Sequence, residues 1–220
     1  MSDVRKTVKE LANDSLARGD ATGWFETVYA TAAGEPGRVP WADLAPNPHL
    51  IAWAERAGLR GEKKAALVVG CGLGDDAEWL AARGFRVTAF DLSETAITWA
   101  KRRYPTSHVS YEVADLLACP EEWAGEFDFV FEAYTVQSLP EGELRVKAIA
   151  AVAAPVAENG TLLVIARGRD EGKVVAGPPW PLSPREATSF GDHDLEEILF
   201  EDFMDDESPP QRRFRIEFRR

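Results

Sequence analysis

The chain has 220 residues, 45% of them apolar and 28% charged, and 37 acidic against 25 basic side chains give a formal charge of −12. That length favours one large domain able to bury its own core, and that composition excludes a collagen-like, linker-dominated or disordered chain. The acidity argues against a general nucleic-acid binder, because such affinity rests on Lys and Arg neutralising phosphates.

The first residues, Met1 to Leu11, are polar and charged throughout, so no signal peptide is expected, and no apolar run approaches the roughly 18 residues of a membrane span. Cys71 and Cys119 stand at no metal spacing and read as reduced thiols of a cytoplasmic protein. His49, His108 and His193 are scattered, so no metal site is expected.

Two helices come first. Ser2 or Asp3 can cap one whose Val4, Val8 and Leu11 share a face; Asp20 can cap the next, with Trp24/Val28 and Phe25/Tyr29 as i, i+4 pairs. Gly34 to Pro48 reads as a loop broken by four prolines, and Asn47-Pro48 as the N-cap and first position of a third helix. From Ala65 the pattern becomes alternating strands and helices. Strands are predicted at Ala65–Val69, Val87–Phe90, Val109–Val113, Phe127–Phe131 and Thr161–Ala166. Helices are predicted at Asp75–Ala82, from a Ser93 cap to Arg103, and from about Glu141 to Ala157. Arg167 to Pro184 is a long Gly- and Pro-rich loop, of the kind that is usually functional or disordered, and a short helix follows. Ile198–Phe200 and Phe214–Phe218 read as a closing antiparallel hairpin. Arg212, Arg213, Arg215, Arg219 and Arg220 alternate there with Phe214, Ile216 and Phe218, which reads as an outward strand face. The whole is an α/β fold: a doubly wound, mostly parallel, seven-stranded sheet with a C-terminal hairpin. Residues 1–60 form a helical cap and residues 61–220 the ligand-binding domain.

The strongest chemical signal is Val68-Val69-Gly70-Cys71-Gly72-Leu73-Gly74-Asp75-Asp76, a glycine-rich turn with a strand before it and a helix after it. Asp91 ends the next strand 21 residues after Gly70, where a carboxylate can accept hydrogen bonds from ribose hydroxyls. A dinucleotide site would place its third glycine at position 75, which is Asp75. Two carboxylates beside a pyrophosphate would oppose the anion preference of a helix N-terminus. S-adenosylmethionine carries no phosphate and brings an ammonium and a sulfonium, so it is favoured over NAD. Asp115 can reach the adenine amino group, and Leu116 can pack on the ring. Glu132 and Tyr134 end the fourth strand on the crevice side. The cofactor set on this reading is Gly70, Cys71, Gly72, Gly74, Asp91, Leu92, Asp115 and Leu116.

With these residues the chain resembles class I S-adenosylmethionine-dependent methyltransferases, and more narrowly the thiopurine and halide/thiol methyltransferase group. Outside the glycine loop the narrower resemblance is carried by Trp24, Val39-Pro40-Trp41-Ala42, Pro46-Asn47-Pro48, Phe127-Asp128-Phe129-Val130-Phe131-Glu132, Tyr134-Thr135 and Gly177-Pro178-Pro179-Trp180. It implies that Trp24 and Trp41 pack over the cofactor and that Glu132 contacts it. Tyr134, Arg167, Pro179 and Trp180 are the candidate acceptor contacts. Arg169 could also orient an anionic acceptor, and an exposed-loop role is equally open for both arginines. Tyr134, Glu132 and His193 are the candidate catalytic groups. Trp53, Trp79, Trp99 and Trp123 are assigned to packing.

The expected partner is a small-molecule methyl acceptor, neither nucleic acid nor membrane, with monomer and homodimer both open. A soft nucleophile, a thiol or a halide-like anion, is the first expectation because it needs little help from a base. An oxygen or nitrogen acceptor, a catalytically silent S-adenosylmethionine-binding protein and an NAD-dependent oxidoreductase are the alternatives.

Overall fold

The computed structural model describes residues 2–220, with side chains from Thr7 onward, so the readings of Ser2, Asp3 and Val4 lie outside the described side chains. Seven strands form one sheet in the order β3-β2-β1-β4-β5-β7-β6. They are β1 Ala65–Val69, β2 Arg86–Asp91, β3 Ser110–Val113, β4 Phe127–Ala133, β5 Val156–Arg167, β6 Glu196–Met204 and β7 Arg212–Arg219. The first five are parallel; β7 runs antiparallel to both β5 and β6.

An uninterrupted apolar strand needs cover on both faces, and β1 has it. Ala66 and Val68 join Phe129, Phe131, Leu163 and Ile165 on one face, beneath α3 (Pro48–Ala57), α4 (Asp75–Ala81) and α5 (Glu94–Arg103). Leu67 and Val69 join Val130, Leu162 and Val164 on the other, beneath α6 (Glu143–Ala153) and α7 (Pro184–Thr188). Each such side chain contributes about 1.5–3 kcal/mol on full burial. The chain winds outward from β1 to β3 and then returns to β4. The β1/β4 boundary is therefore the topological switch point, where the carboxyl ends of the strands leave a crevice.

Helices α1 (Ser2–Ala17) and α2 (Trp24–Ala32) form the cap. Trp24 and Val28 face α1, clustering with Val8 and Ala12, whereas Tyr29 and Ala32 pack on Leu73 and Ala96 of the sheet domain. Helix α3 also lies before residue 60, yet Leu50, Trp53 and Ala54 belong to the sheet's flanking layer. Asn47 caps it through His49 N, with Pro48 at the first position, and Ser93 caps α5.

Four expectations need correction. Asp20 accepts from the amides of Thr22 and Gly23 at 3.1 and 2.8 Å, but Gly23 is the N-cap of α2, so Asp20 shapes the turn before the helix. Helix α6 stops at Ala153 because Pro155 follows immediately. Strand β5 begins at Val156, and Asn159-Gly160 lies inside it, where the register with β4 jumps from Phe127↔Val156 to Phe129↔Thr161. Arg213 and Arg215 are buried rather than outward. Strand β7 is an interior strand, and α3 and the hairpin turn cover the arginine face. Arg213 pairs there with Asp205 at 2.6 Å and with Glu207; Arg215 pairs with Glu201.

Among the described residues, no helix is long and apolar enough to cross a membrane.

Candidate active site

The glycine turn closes directly on the end of β2. Cys71 N donates to Phe90 O at 2.8 Å, and Gly72 N donates to Asp91 Oδ2 at 2.9 Å. Gly70 has φ +61°, and a Cβ there would lie 2.3 Å from Thr135 Oγ1, so this position combines a left-handed backbone with close approach of the β4 turn. Gly74 is the N-cap of α4. Burial, and then the charge of Asp91, push the Cys71 thiol well above its ordinary range, so it is a packing group and not a thiolate.

Asp91 is almost fully buried, and its second oxygen, Oδ1, accepts from Ser93 N at 2.9 Å. Burial raises its carboxyl, and the amides of Ser93 and Gly72 oppose that rise. Each oxygen has accepted one amide and keeps a further lone pair for a hydroxyl donor. Half-buried Leu92 lies between Asp91 and the Ser93 cap. Asp115 accepts from Leu117 N at 2.9 Å and so caps the turn over 116–118, while Leu116 is buried in the core.

The two acids after the loop have protein partners. Asp75 forms a two-pronged pair with Arg103 at 2.7 and 2.8 Å and accepts from the Tyr104 hydroxyl at 2.9 Å. Asp76 accepts from Asn47 N at 2.6 Å. Arg103 balances the charge of Asp75, so the case against a pyrophosphate rests mainly on Asp76.

At the end of β4, Glu132 is fully buried; its Oε1 accepts from the amides of Thr135 (2.7 Å) and Val136 (3.0 Å), and its Oε2 has no partner. Burial pushes its carboxyl up to about 7, against the pull of those two amides. Tyr134 is left-handed at φ +65°, a conformation that costs a bulky residue of order 1–3 kcal/mol and persists only when neighbours hold it. The Arg213 guanidinium lies 5.1 Å from its ring centroid. Burial drives this phenol to about 12, although Arg213 and Asn47 work the other way.

These features place a glycine turn, a carboxylate and a buried acid around one crevice at the switch point. Residues 66–160 match the family described as a methyltransferase domain. That segment is similar to a methyltransferase domain and makes up less than half of the chain. Its sequence is 37% identical over 112 residues to a ubiquinone biosynthesis O-methyltransferase of Aromatoleum aromaticum, covering 50% of this chain and 47% of that one. It is 35% identical over 98 residues to the enzyme of the same name from Pseudomonas aeruginosa, covering 43% and 41%. The chain thus spans less than half the length of these curated relatives. Among solved structures, the 1,6-didemethyltoxoflavin-N1-methyltransferase of Burkholderia thailandensis, bound to S-adenosylhomocysteine, superposes with TM-score 0.70 at 16% identity, covering 89% and 87%. The N-methyltransferase NodS of Bradyrhizobium japonicum superposes with TM-score 0.65 at 21% identity, covering 87% and 97%. The fold of these structures is the one described above. None of these likenesses supports the narrower thiopurine and halide/thiol group.

The cofactor candidates Gly70, Cys71, Gly72 and Gly74 follow β1, Asp91 and Leu92 stand at the end of β2, and Glu132 and Tyr134 stand at the end of β4. Trp24 stacks on Phe25 at 3.9 Å, donates to Ala21 O and packs in the cap's own cluster, with its ring edge-on to Trp41 at 5.9 Å. Trp41 is part-exposed and donates through Nε1 to the Tyr29 hydroxyl at 2.7 Å. The His193 carbonyl accepts from Arg220, whose amide donates to Gly160 O near the start of β5, away from the end that carries Glu132 and Tyr134. Arg167 ends β5, and its amide donates to Gln137 Oε1 at 2.6 Å. Arg169 is a correction to the exposed-loop reading, being buried and paired to Glu186 at 2.7 Å as a brace of the following loop. In that loop, half-buried Pro179 precedes Trp180, whose amide donates to Gln137 O at 2.7 Å.

Sequence reasoning missed Tyr29, Glu26, Asn47, Gln137 and Arg213 as residues that shape the site. Each acts through a partner far away in the chain, so no local spacing marks it. Tyr29 left a trace as an i, i+4 pair with Phe25 on an otherwise ordinary helix face.

Proposed function

We propose that this protein transfers the methyl group of S-adenosylmethionine to a small-molecule acceptor held near Tyr134. The observation that carries the reading is Asp91, whose carboxylate is fixed beneath the glycine turn by the Gly72 amide with lone pairs to spare. The residues present fit such a cofactor. The turn admits a close ligand, Asp91 suits ribose hydroxyls, and the unpartnered Oε2 of Glu132 suits a cationic or hydroxyl donor.

When bound, the sulfonium supplies an electrophilic methyl group for direct displacement. The protein's own contribution is then alignment and water exclusion, and holding reactants in line supplies roughly 7–11 kcal/mol of barrier reduction. Asp91 and the turn fix one partner. Tyr134, braced by Arg213, presents a rigid surface to the other. The cap covers the crevice and excludes water.

For the acceptor we favour a soft nucleophile, a thiol or a halide-like anion. The support is that the site residues named above include carboxylates and a phenol but neither imidazole nor amine, and a thiolate needs no base. A second reading, methylation of a hydroxyl, is favoured by Glu132, a buried carboxyl near 7 with one oxygen unbonded, able to accept the proton of a phenol. The names of the O-methyltransferase relatives point the same way. The two readings separate in an acceptor panel of small thiols, iodide, thiopurines, catechol-like phenols and amines, followed by release of S-adenosylhomocysteine. Turnover of thiols, quickening as pH nears the acceptor's own pKa, supports the first. Turnover of phenols alone, lost in Glu132→Gln even at saturating S-adenosylmethionine, supports the second. Tight cofactor binding with no turnover on any acceptor would point to a silent binding protein.

A further inference from the structure

Helix α2 meets the ribose end of the site through two residues on one face. The Glu26 carboxylate accepts from Ser93 Oγ at 2.6 Å, Thr95 N at 3.2 Å and Thr95 Oγ1 at 2.5 Å, all within four residues of Asp91. Three residues on, Tyr29 occupies the same face and is 2% exposed. Its hydroxyl oxygen lies 3.0 Å from where a Cβ on Gly72 would stand, over the residue whose amide binds Asp91. Tyr29 Oη accepts from Trp41 Nε1, which uses one lone pair. Its own proton is donated to no described residue. Buried phenol hydroxyls usually find a partner, so this one is a donor awaiting an acceptor.

We propose that Tyr29 is a ribose-binding residue, donating its hydroxyl proton to a ribose oxygen whose own hydroxyls are accepted by Asp91. The inference rests on the S-adenosylmethionine reading and adds the chemistry by which the cap takes part in it. Asp91 as a carboxylate can only accept, whereas a ribose hydroxyl both donates and accepts. A carboxylate on one side and a phenol on the other therefore match a nucleoside with free ribose hydroxyls. Burial and the neighbouring Asp91 charge hold the phenol in its protonated, donating form. The Glu26 clamp and the Trp41 bond fix where that proton is offered, so affinity for the nucleoside is tied to the docked position of α2.

The test is calorimetric titration of S-adenosylhomocysteine and its 2′,3′-dideoxy analogue into the unmodified protein and into Tyr29→Phe, with thermal unfolding as a check that the variant folds. The unmodified protein is expected to prefer the ribose form by more than tenfold. Tyr29→Phe is expected to weaken the ribose form about five- to tenfold and to leave the dideoxy form within twofold. An equal loss for both ligands, or no loss for either, overturns the role of the hydroxyl while leaving the cofactor reading intact. Equal affinity of the unmodified protein for the two ligands overturns it without any variant. Failure of the unmodified protein to bind S-adenosylhomocysteine overturns the cofactor reading itself, and this one with it.

Discussion

The amide of Asn47 donates to Oδ1 of Asp76 at 2.6 Å, and the side chain of the same Asn47 accepts from His49 N at 2.9 Å. One residue thus caps α3 and ties it to α4, the helix that opens on the glycine turn.

That junction has a pH signature. Burial, helped by Asp75 and Asp43, pushes the Asp76 carboxyl up to about 6, above the 3.8 of an exposed aspartate, and burial pushes Glu132 up to about 7. A raised folded-state value means that the folded protein holds the proton longer than the unfolded chain. The stability these groups contribute is therefore full below about pH 4 and is lost as pH rises through 6 and 7. Asp76→Asn keeps an oxygen acceptor for Asn47 N and removes the ionisation. It should stabilise the protein by about 1–3 kcal/mol at pH 8, with the gain shrinking toward zero by pH 4. Urea unfolding at pH 4, 6 and 8 measures this, and a gain that does not vary with pH would contradict it.

A second prediction concerns the hairpin that braces Tyr134. Arg213 and Asp205 are a buried pair 2.6 Å apart, with side chains only 3% and 2% exposed. Replacing one partner strands the other charge, so Arg213→Met should cost about 3–5 kcal/mol. Arg213→Met with Asp205→Asn should cost clearly less than the sum of the two single changes. A double-mutant cycle in urea reports the coupling. A loss below about 1 kcal/mol for the single change would mean that the hairpin does not rely on the pair.

Much of this architecture is legible in the sequence where a local rule acts. The apolar run Ala65–Val69 marks a strand covered on both faces, Asn47-Pro48 and Ser93 mark helix starts, and the spacing from the glycine turn to Asp91 marks the proposed nucleoside site. What escapes is set by partners distant in the chain. The alternation from Arg212 to Arg219 gives the strand but not its place between β5 and β6, and that place is what buries Arg213 and Arg215. His193 sits between two acids in the sequence without any sign of which end of the sheet it will occupy. Trp24 and Tyr29 share one short helix, and only the docking of α2 decides that the tryptophan fills the cap while the tyrosine meets the turn.

On the proposed function, the Gly70–Gly74 turn and Asp91 hold S-adenosylmethionine. Calorimetric titration of S-adenosylhomocysteine and of NAD into the unmodified protein and into Asp91→Ala tests this, with the variant's fold checked by its unfolding transition. Binding of S-adenosylhomocysteine but not NAD is expected, with a loss of about 1.5–3 kcal/mol in Asp91→Ala, roughly 10- to 150-fold in affinity. Unchanged affinity in the folded variant, or a preference for NAD, would contradict it.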